Sequence, residues 1–427
     1  MGAVLDLAER LWQGETSTDD HHPFTPLLAL EEVANGVAFV SGFANVTSLR
    51  TREGIVIVDT GGLLFAPKIH GMVRSWSKAP LHTAVFTHGH LDHIGGIDLY
   101  DAEPRPAGAK PLEVVAHKKV PERFARYRMT RGYNGCINGR QFSTSLEWPD
   151  VYREPDRLFD DRLSLDIGGT KLELVHDRGE TDDHTWVWLP ETKVLATGDL
   201  FIWASPNAGN PQKVQRYPLE WAAALRKMDA LGPEVLCPGH GVPILGRDRV
   251  HAALVDTAEL LEGLVRDTLA MMNEGEPLDA ILHGVKAPER LLDKPYLRPV
   301  YDEPEFVVRN VWRLYGGWYD GNPAHLKPAA DAQLAQELAD IAGGADVLSE
   351  RALRAADLGD FRLACHLAQF ATDAAPNDAT IARTRAHILR ERAKRETSLM
   401  AKGIFRAAAD EVDDDFPDDG ENGPLSR

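Results

Sequence analysis

The chain of 427 residues has only three cysteines, no excess of positive charge, and no apolar run long enough to cross a bilayer, which takes about 18 to 20 residues. Each shortage removes a class of protein. Cys136, Cys237 and Cys365 are odd in number and widely spaced, so they offer neither a disulfide framework nor a CxxC metal site, and read as small buried residues. The first stretch, "MGAVLDLAERLWQGETSTDD", has no basic start and no unbroken apolar core such as a secretory leader needs, so a cytoplasmic protein is expected. The net charge of -18, from 47 basic and 65 acidic residues, argues against a nucleic-acid partner, which requires a basic footprint to displace phosphate counterions. No membrane partner is expected either.

What remains is a chain with 43% hydrophobic and 26% charged residues, ordinary globular values, and length for two or three domains. From Val37 to Pro243 short β-branched runs such as "GVAFVSG", "GIVIVDTGG" and "HTAVFTHGH" alternate with turns and a few helical stretches. "WVWLPETKVLATGD" predicts a hairpin, while "APKIHGMVRSW" and "LEWAAALRKMDAL" predict helices between strands. This pattern suits a sheet-rich α/β domain with ligands on loops at strand ends. After Arg249 the chain turns alanine- and leucine-rich at helical spacing. The expected organisation is a lead-in over 1–30, a catalytic domain over 31–250, a helical domain over 251–409 and an acidic, disordered tail over 410–427.

Inside the helical part, "LGDFRLACHLAQFATDAAPND" places Gly359, Asp360, Phe361, Ala364, Ala371 and Pro376 at the offsets of a tetratricopeptide-type hairpin. The aromatic-rich segment 309–328, "RNVWRLYGGWYDGNPAHLKP", taken by composition alone, suits a packing plug ending in a turn.

The densest chemistry lies in "THGHLDHIGG", residues 87–96. His88 and His90 sit two apart after a strand, so both imidazoles project to one side of an extended backbone. Asp92 and His93 follow where a helix should start, close enough to serve a second metal. Three histidines and an aspartate in six residues are a metal site in composition.

This HxHxDH segment resembles the defining motif of the metallo-β-lactamase fold hydrolases, and the likeness continues along the chain. Asp59, ending "GIVIVDTGG", matches an aspartate that orients the histidine loop; His184 in "GETDDHTWVWLP", Asp199 in "LATGDLF" and His240 in "LCPGHG" match the later ligand motifs. The resemblance implies that His88, His90 and His184 hold one zinc, that Asp92, His93 and His240 hold another, and that Asp199 bridges both. Iron or manganese would also suit these ligands. It further implies hydrolysis by a hydroxide held between the metals, with Asp92 orienting it and accepting a proton.

The segment with "GWYDGNP" and the helical hairpin resembles the dimerisation domain of the alkylsulfatase branch of that fold. The "RYRMTRGYNGCINGRQF" insertion, residues 126–142, is similar to an insert lining that branch's active-site mouth, which makes Arg131, Tyr133, Asn134 and Arg140 candidate sulfate-binding groups, with Arg216 a further one. A solvated loop would carry the same residues. The implied architecture is an α+β sandwich, the αββα metallo-β-lactamase fold, followed by an all-α dimerisation domain with a TPR-like hairpin. The implied protein is a homodimeric dinuclear zinc hydrolase cleaving a small-molecule sulfate ester.

Two departures stand against the sulfate ester. The branch usually has glutamates where His184 and Asp199 stand, and no sterol-carrier-like domain follows the helices. A carboxylic ester, thioester or lactone on the same centre is the alternative.

Overall fold

The structure is a computed structural model that describes residues 2–105 and 110–416, apart from the side chain of Asp414. Its contacts divide the chain into two units. One contains the residues up to Arg131 together with Pro149–Asp320, and the other contains Gly132–Trp148 with the chain from Gly321 onward.

The first unit holds two sheets. The seven-stranded sheet runs in sequence order through β1 (Ala29–Ala34), β2 (Val37–Ser41), β3 (Val46–Thr51), β4 (Gly54–Val58), β5 (Leu81–Val85), β6 (Glu113–His117) and β7 (Arg157–Phe159). Its first four strands pair antiparallel, and the pairs from β4 to β7 are parallel. The six-stranded sheet comprises β8 (Arg162–Ile167), β9 (Thr170–His176), β10 (Thr185–Leu189), β11 (Val194–Ile202), β12 (Val235–His240) and β13 (Ile244–Leu245), in the reverse order from β13 to β8. The predicted hairpin is β10–β11, with Leu189 opposite Val194 and the turn closing at Lys193 in the left-handed region (φ 52°).

Strands such as β4, buried at every residue, read as continuous apolar runs because both faces of the sheet are covered. Between the sheets, Phe39, Val56, Val85, Val115, Leu174 and Val187 share one core. The helices in chain order are α1 (Ala3–Gln13), α2 (Ala66–Trp76), α3 (Leu91–Ile94), α4 (Ile97–Asp101), α5 (Val120–Met129), α6 (Arg131–Phe142), α7 (Pro218–Ala230), α8 (Arg247–Asn273), α9 (Leu278–Gly284), α10 (Glu289–Leu292), α11 (Pro304–Tyr315), α12 (Pro323–Leu326), α13 (Asp331–Ala342), α14 (Ala345–Asp357), α15 (Phe361–Ala374), α16 (Ala379–Arg395) and α17 (Leu399–Asp415). α2 and α7 fall on the two segments expected to be helical.

The division between units does not follow the expected edge between residues 250 and 251. Leu254 and Leu261 of α8 and Val307 and Val311 of α11 join Trp221 and Leu225 of α7 in one core that also takes Trp186, Leu195 and Leu236 of the second sheet. The change in composition near Arg249 marks the start of helical cover for that sheet, and the first unit runs on to Asp320. The segment expected to plug a core instead leaves Trp318 74% exposed.

In the second unit, Asp360 caps α15 by accepting from Leu363 N–H at 3.1 Å, and Ala352, Phe361, Ala364 and Ala368 pack where α14 and α15 cross. α6 belongs to this unit beyond Arg131, and a side chain at Gly403 of α17 would collide with the Gln141 carbonyl. Cys136, expected to be buried, lies exposed on α6. The acidic tail also needs correction over its first part, because residues 410–415 continue α17. Ala409 and Val412 pack on α16, and Arg390 pairs with Asp410 and Asp413. Residues 417–427 of the expected tail lie outside the described residues. Among the described residues no helix is long and apolar enough to cross a membrane.

Candidate metal centre

Within the first unit, loops at strand ends bring two clusters of ligand-type groups together. His88, His90, Glu180 and Asp199 form one, and Asp92, His93 and His240 form the other. β5 delivers His88 and His90, and α3 turns Asp92 and His93 back toward the sheet. The loop after β9 carries Glu180, while β11 and β12 carry Asp199 and His240.

Asp199 connects the clusters. Its Oδ1 is 3.1 Å from His93 Nε2 and 3.4 Å from His240 Nε2, and its Oδ2 is 3.8 Å from His88 Nε2. Gly198 before it has φ 51°, and a Cβ there would stand 2.8 Å from both Thr87 Cβ and His184 Cε1, so only glycine lets the strand pass.

The hydrogen-bond network assigns the protons on the imidazoles. Thr87 Oγ1 donates to Asp59 at 2.8 Å, which leaves its lone pair to accept from His88 Nδ1–H at 2.9 Å. His93 Nδ1–H donates to Asp59 at 2.7 Å, and His240 Nδ1–H donates to the Phe43 carbonyl. All three rings therefore turn Nε2 toward the centre. Asp59 accepts from both Thr87 and His93, and its backbone is held at φ 60°, a conformation a non-glycine residue adopts only when its surroundings fix it.

Charge follows this arrangement. Burial, with His93 and His90 close by, holds His88 well below its usual pKa; burial, with Arg123 and Arg216 close by, does the same for His90. Burial opposes charge on His93 too, but the Asp199, Asp59 and Asp92 carboxylates outweigh it and hold the imidazole well above its usual range. Burial pushes Glu180 up to about 7 even against the pull of Arg216.

His184 does not belong to either cluster. Its Nε2 accepts from Asp199 N–H at 3.0 Å, and burial lowers its pKa to about 3, so the neutral ring carries its proton on Nδ1. Its Nδ1 is buried without a hydrogen-bond partner. Glu180, four residues earlier in the same loop, is the residue grouped with His88, His90 and Asp199, where the expectation had His184. Arg216 pairs with Glu180 Oε1, and Asn207 Nδ2 donates to that oxygen at 2.8 Å, which leaves Oε2 3.7 Å from His90 Nδ1. Arg216, expected to meet substrate, thus holds a carboxylate in place.

Arg131 lies 3.6 Å from Asp150. Tyr133, Asn134 and Arg140 lie on α6 in the second unit, Tyr133 and Arg140 exposed and Asn134 buried.

The donor set fits divalent metal. His93 Nε2, Asp199 Oδ1 and Glu180 Oε2 are buried without a hydrogen-bond partner, a costly arrangement unless a cation meets them. His88 Nε2 and His90 Nδ1 lie 2.8 Å apart, a separation that also calls for a shared cation or proton.

Two sheets flanked by helices, with such clusters at strand ends, define a metallo-β-lactamase fold. A family model described as the metallo-beta-lactamase superfamily matches residues 41–240, and one described as alkyl sulfatase dimerisation matches residues 278–415. Residues 41–240 thus carry the metallo-β-lactamase fold, and residues 278–415 match an alkylsulfatase-type dimerisation domain. It is 28% identical to a linear primary-alkylsulfatase of a Pseudomonas strain, over 75% of this chain and 64% of that one. It is 29% identical to an (R)-specific secondary-alkylsulfatase of Pseudomonas sp., over 76% of this chain and 53% of the relative. The solved stereoselective inverting sec-alkylsulfatase Pisa1 from Pseudomonas sp. superposes with a TM-score of 0.80 at 25% identity, over 90% of this chain and 65% of that structure. The chain thus spans between half and two thirds of the length of these relatives.

Nothing local singles out Glu180, because "GETDDH" offers four acids and histidines within five positions, and a histidine is the more familiar zinc ligand.

Proposed function

We propose that the protein is a dinuclear zinc hydrolase that cleaves the sulfate ester of a small alkyl sulfate and works as a homodimer. The observation that carries this reading is the pair of ligand clusters joined by Asp199, with Glu180 as the carboxylate of the first. The relatives named as alkylsulfatases support the substrate class. When bound, two zinc ions would supply Lewis acidity and bring the pKa of water near neutrality. His88, His90 and Glu180 would hold one, Asp92, His93 and His240 the other, and Asp199 both.

The chain's own residues then position and move protons. Asp92, whose side chain is 29% exposed, is the most accessible carboxylate of the centre and is assigned to orient the attacking water and take its proton. Arg131, in the same unit as the centre, is proposed to bind a sulfate oxygen. Gly62 packs against Asp92, since a Cβ there would be 3.1 Å from the Asp92 Cα, and Leu63 and Leu64 follow it, 60% and 83% exposed. These leucines are proposed to take the alkyl chain. The exposed Trp318 in the dimerisation segment supports self-association.

The ester, thioester or lactone alternative rested on His184 and Asp199 as ligands. With Glu180 in the cluster, Asp199 alone favours it. The test is a panel of primary and secondary alkyl sulfates beside thioesters and lactones, with free sulfate measured by ion chromatography. Sulfate release that stops on chelation and returns with zinc is expected. Turnover of thioesters or lactones with no sulfate from any alkyl sulfate would overturn the reading.

A further inference from the structure

The histidine-bearing loop is gripped from outside the centre by a buried ion pair that no ligand assignment uses. Asp183, fully buried, accepts from Gly89 N–H at 3.1 Å, and Gly89 is the residue between His88 and His90. Arg123 of α5, also buried, reaches the same carboxylate through Nε at 2.7 Å to Oδ2 and through Nη2 at 2.7 Å to Oδ1. Nη2 also donates to Asp182 at 2.8 Å. A side chain on Gly89 would stand 2.8 Å from Arg123 Cδ and 3.2 Å from Asp183 Oδ2, so the peptide is clamped closely against the pair.

We propose that the Arg123–Asp183 pair is a positioning device for the first metal cluster alone, fixing the Gly89 peptide so that His88 and His90 face Glu180 and Asp199. This rests on the two-metal reading above. Three observations give the selectivity. The clamp bears on the one peptide that joins the two histidines of the first cluster. Asp183 lies three residues from Glu180 in the same loop, so it ties the histidine loop to the carboxylate those histidines must meet. The histidines of the second cluster are not touched by this clamp: His93 is held by Asp59, which also steadies His88 through Thr87, and His240 by the Phe43 carbonyl. A bidentate guanidinium and carboxylate, shielded from water, hold position better than a single neutral bond.

The experiment is zinc titration of the metal-stripped full-length protein against a chromophoric chelator, which resolves two binding steps. Glu180→Gln marks the step of the first cluster and His240→Asn that of the second. Asp183→Ala should weaken the step that Glu180→Gln weakens, by 10-fold or more, and leave the other within 3-fold. Asp183→Asn keeps an acceptor for Gly89 N–H and should recover part of the loss. Thermal melts of the zinc-loaded variants identify any that fail to fold, and Arg123→Lys, which retains the charge but not the fork, then serves as the second probe with a smaller selective loss. Equal weakening of both steps in a folded variant, or no weakening, overturns the inference while the two-metal reading stands. Wild type taking up fewer than two zinc ions overturns both.

Discussion

The two ligand clusters differ in how the chain builds them. Asp92, His93 and His240 are oriented by near neighbours of simple kind: Asp59 at the end of β4, a backbone carbonyl at Phe43, and a helix of one turn. The cluster of His88, His90 and Glu180 depends on a buried charged lattice. Arg216 and Asn207 fix Glu180, Arg123 and Asp183 fix Gly89, and Gln215 and the Arg216 carbonyl are tied to Asn310 of α11. The cluster held through the longer chain of buried polar groups has more positions whose removal leaves a partner unpaired in a medium that cannot solvate it.

The largest effect should come from the residue common to both clusters. Asp199→Ala is expected to abolish zinc binding at both positions and reduce sulfate release to background, measured by elemental analysis and sulfate assay. Next, Glu180→Gln should lose one zinc of two, whereas His184→Gln, which removes an acceptor for Asp199 N–H and no ligand, should retain both. The reverse result would return His184 to the ligand set. Asp59→Asn, which disturbs the partner of His93 and, through Thr87, of His88, should lower affinity in both clusters by roughly 10- to 100-fold, as loss of an orienting partner does, detectable by chelator competition. The smallest change should be Leu64→Ser, raising KM for long-chain over short-chain alkyl sulfates by about 3- to 10-fold, given ~0.8 kcal/mol per buried methylene, with kcat unchanged.

A site away from the metals offers a control on stability. His117 and His176 stack with ring centroids 3.6 Å apart, and burial, with His176 beside it, lowers His117 from 6.5 to about 4. A depressed histidine contributes stability that is complete above the unfolded pKa of 6.5 and lost as pH falls through about 4. His117→Asn should therefore flatten the fall in denaturation midpoint between pH 6.5 and 4. An unchanged slope would show that the pair does not set acid stability.

The sequence by itself determined the sandwich, the helices that follow it and six of the groups now found in the clusters. Strand alternation, the HxHxDH spacing and the "GIVIVDTGG", "LATGD" and "LCPGHG" strand ends are local patterns, and local patterns survive in one dimension. Tertiary structure decided the rest. It chose Glu180 over His184, because only the fold shows that Asp199 N–H occupies the imidazole nitrogen and that Arg216 and Asn207 turn the carboxylate inward. It moved Arg216 from substrate to support, and it set the edge of the first unit at Asp320 rather than 250, because the outer face of the second sheet requires α8 and α11 as cover. In each case the deciding contact joins residues far apart in the chain or competes for one atom, and composition and spacing carry neither.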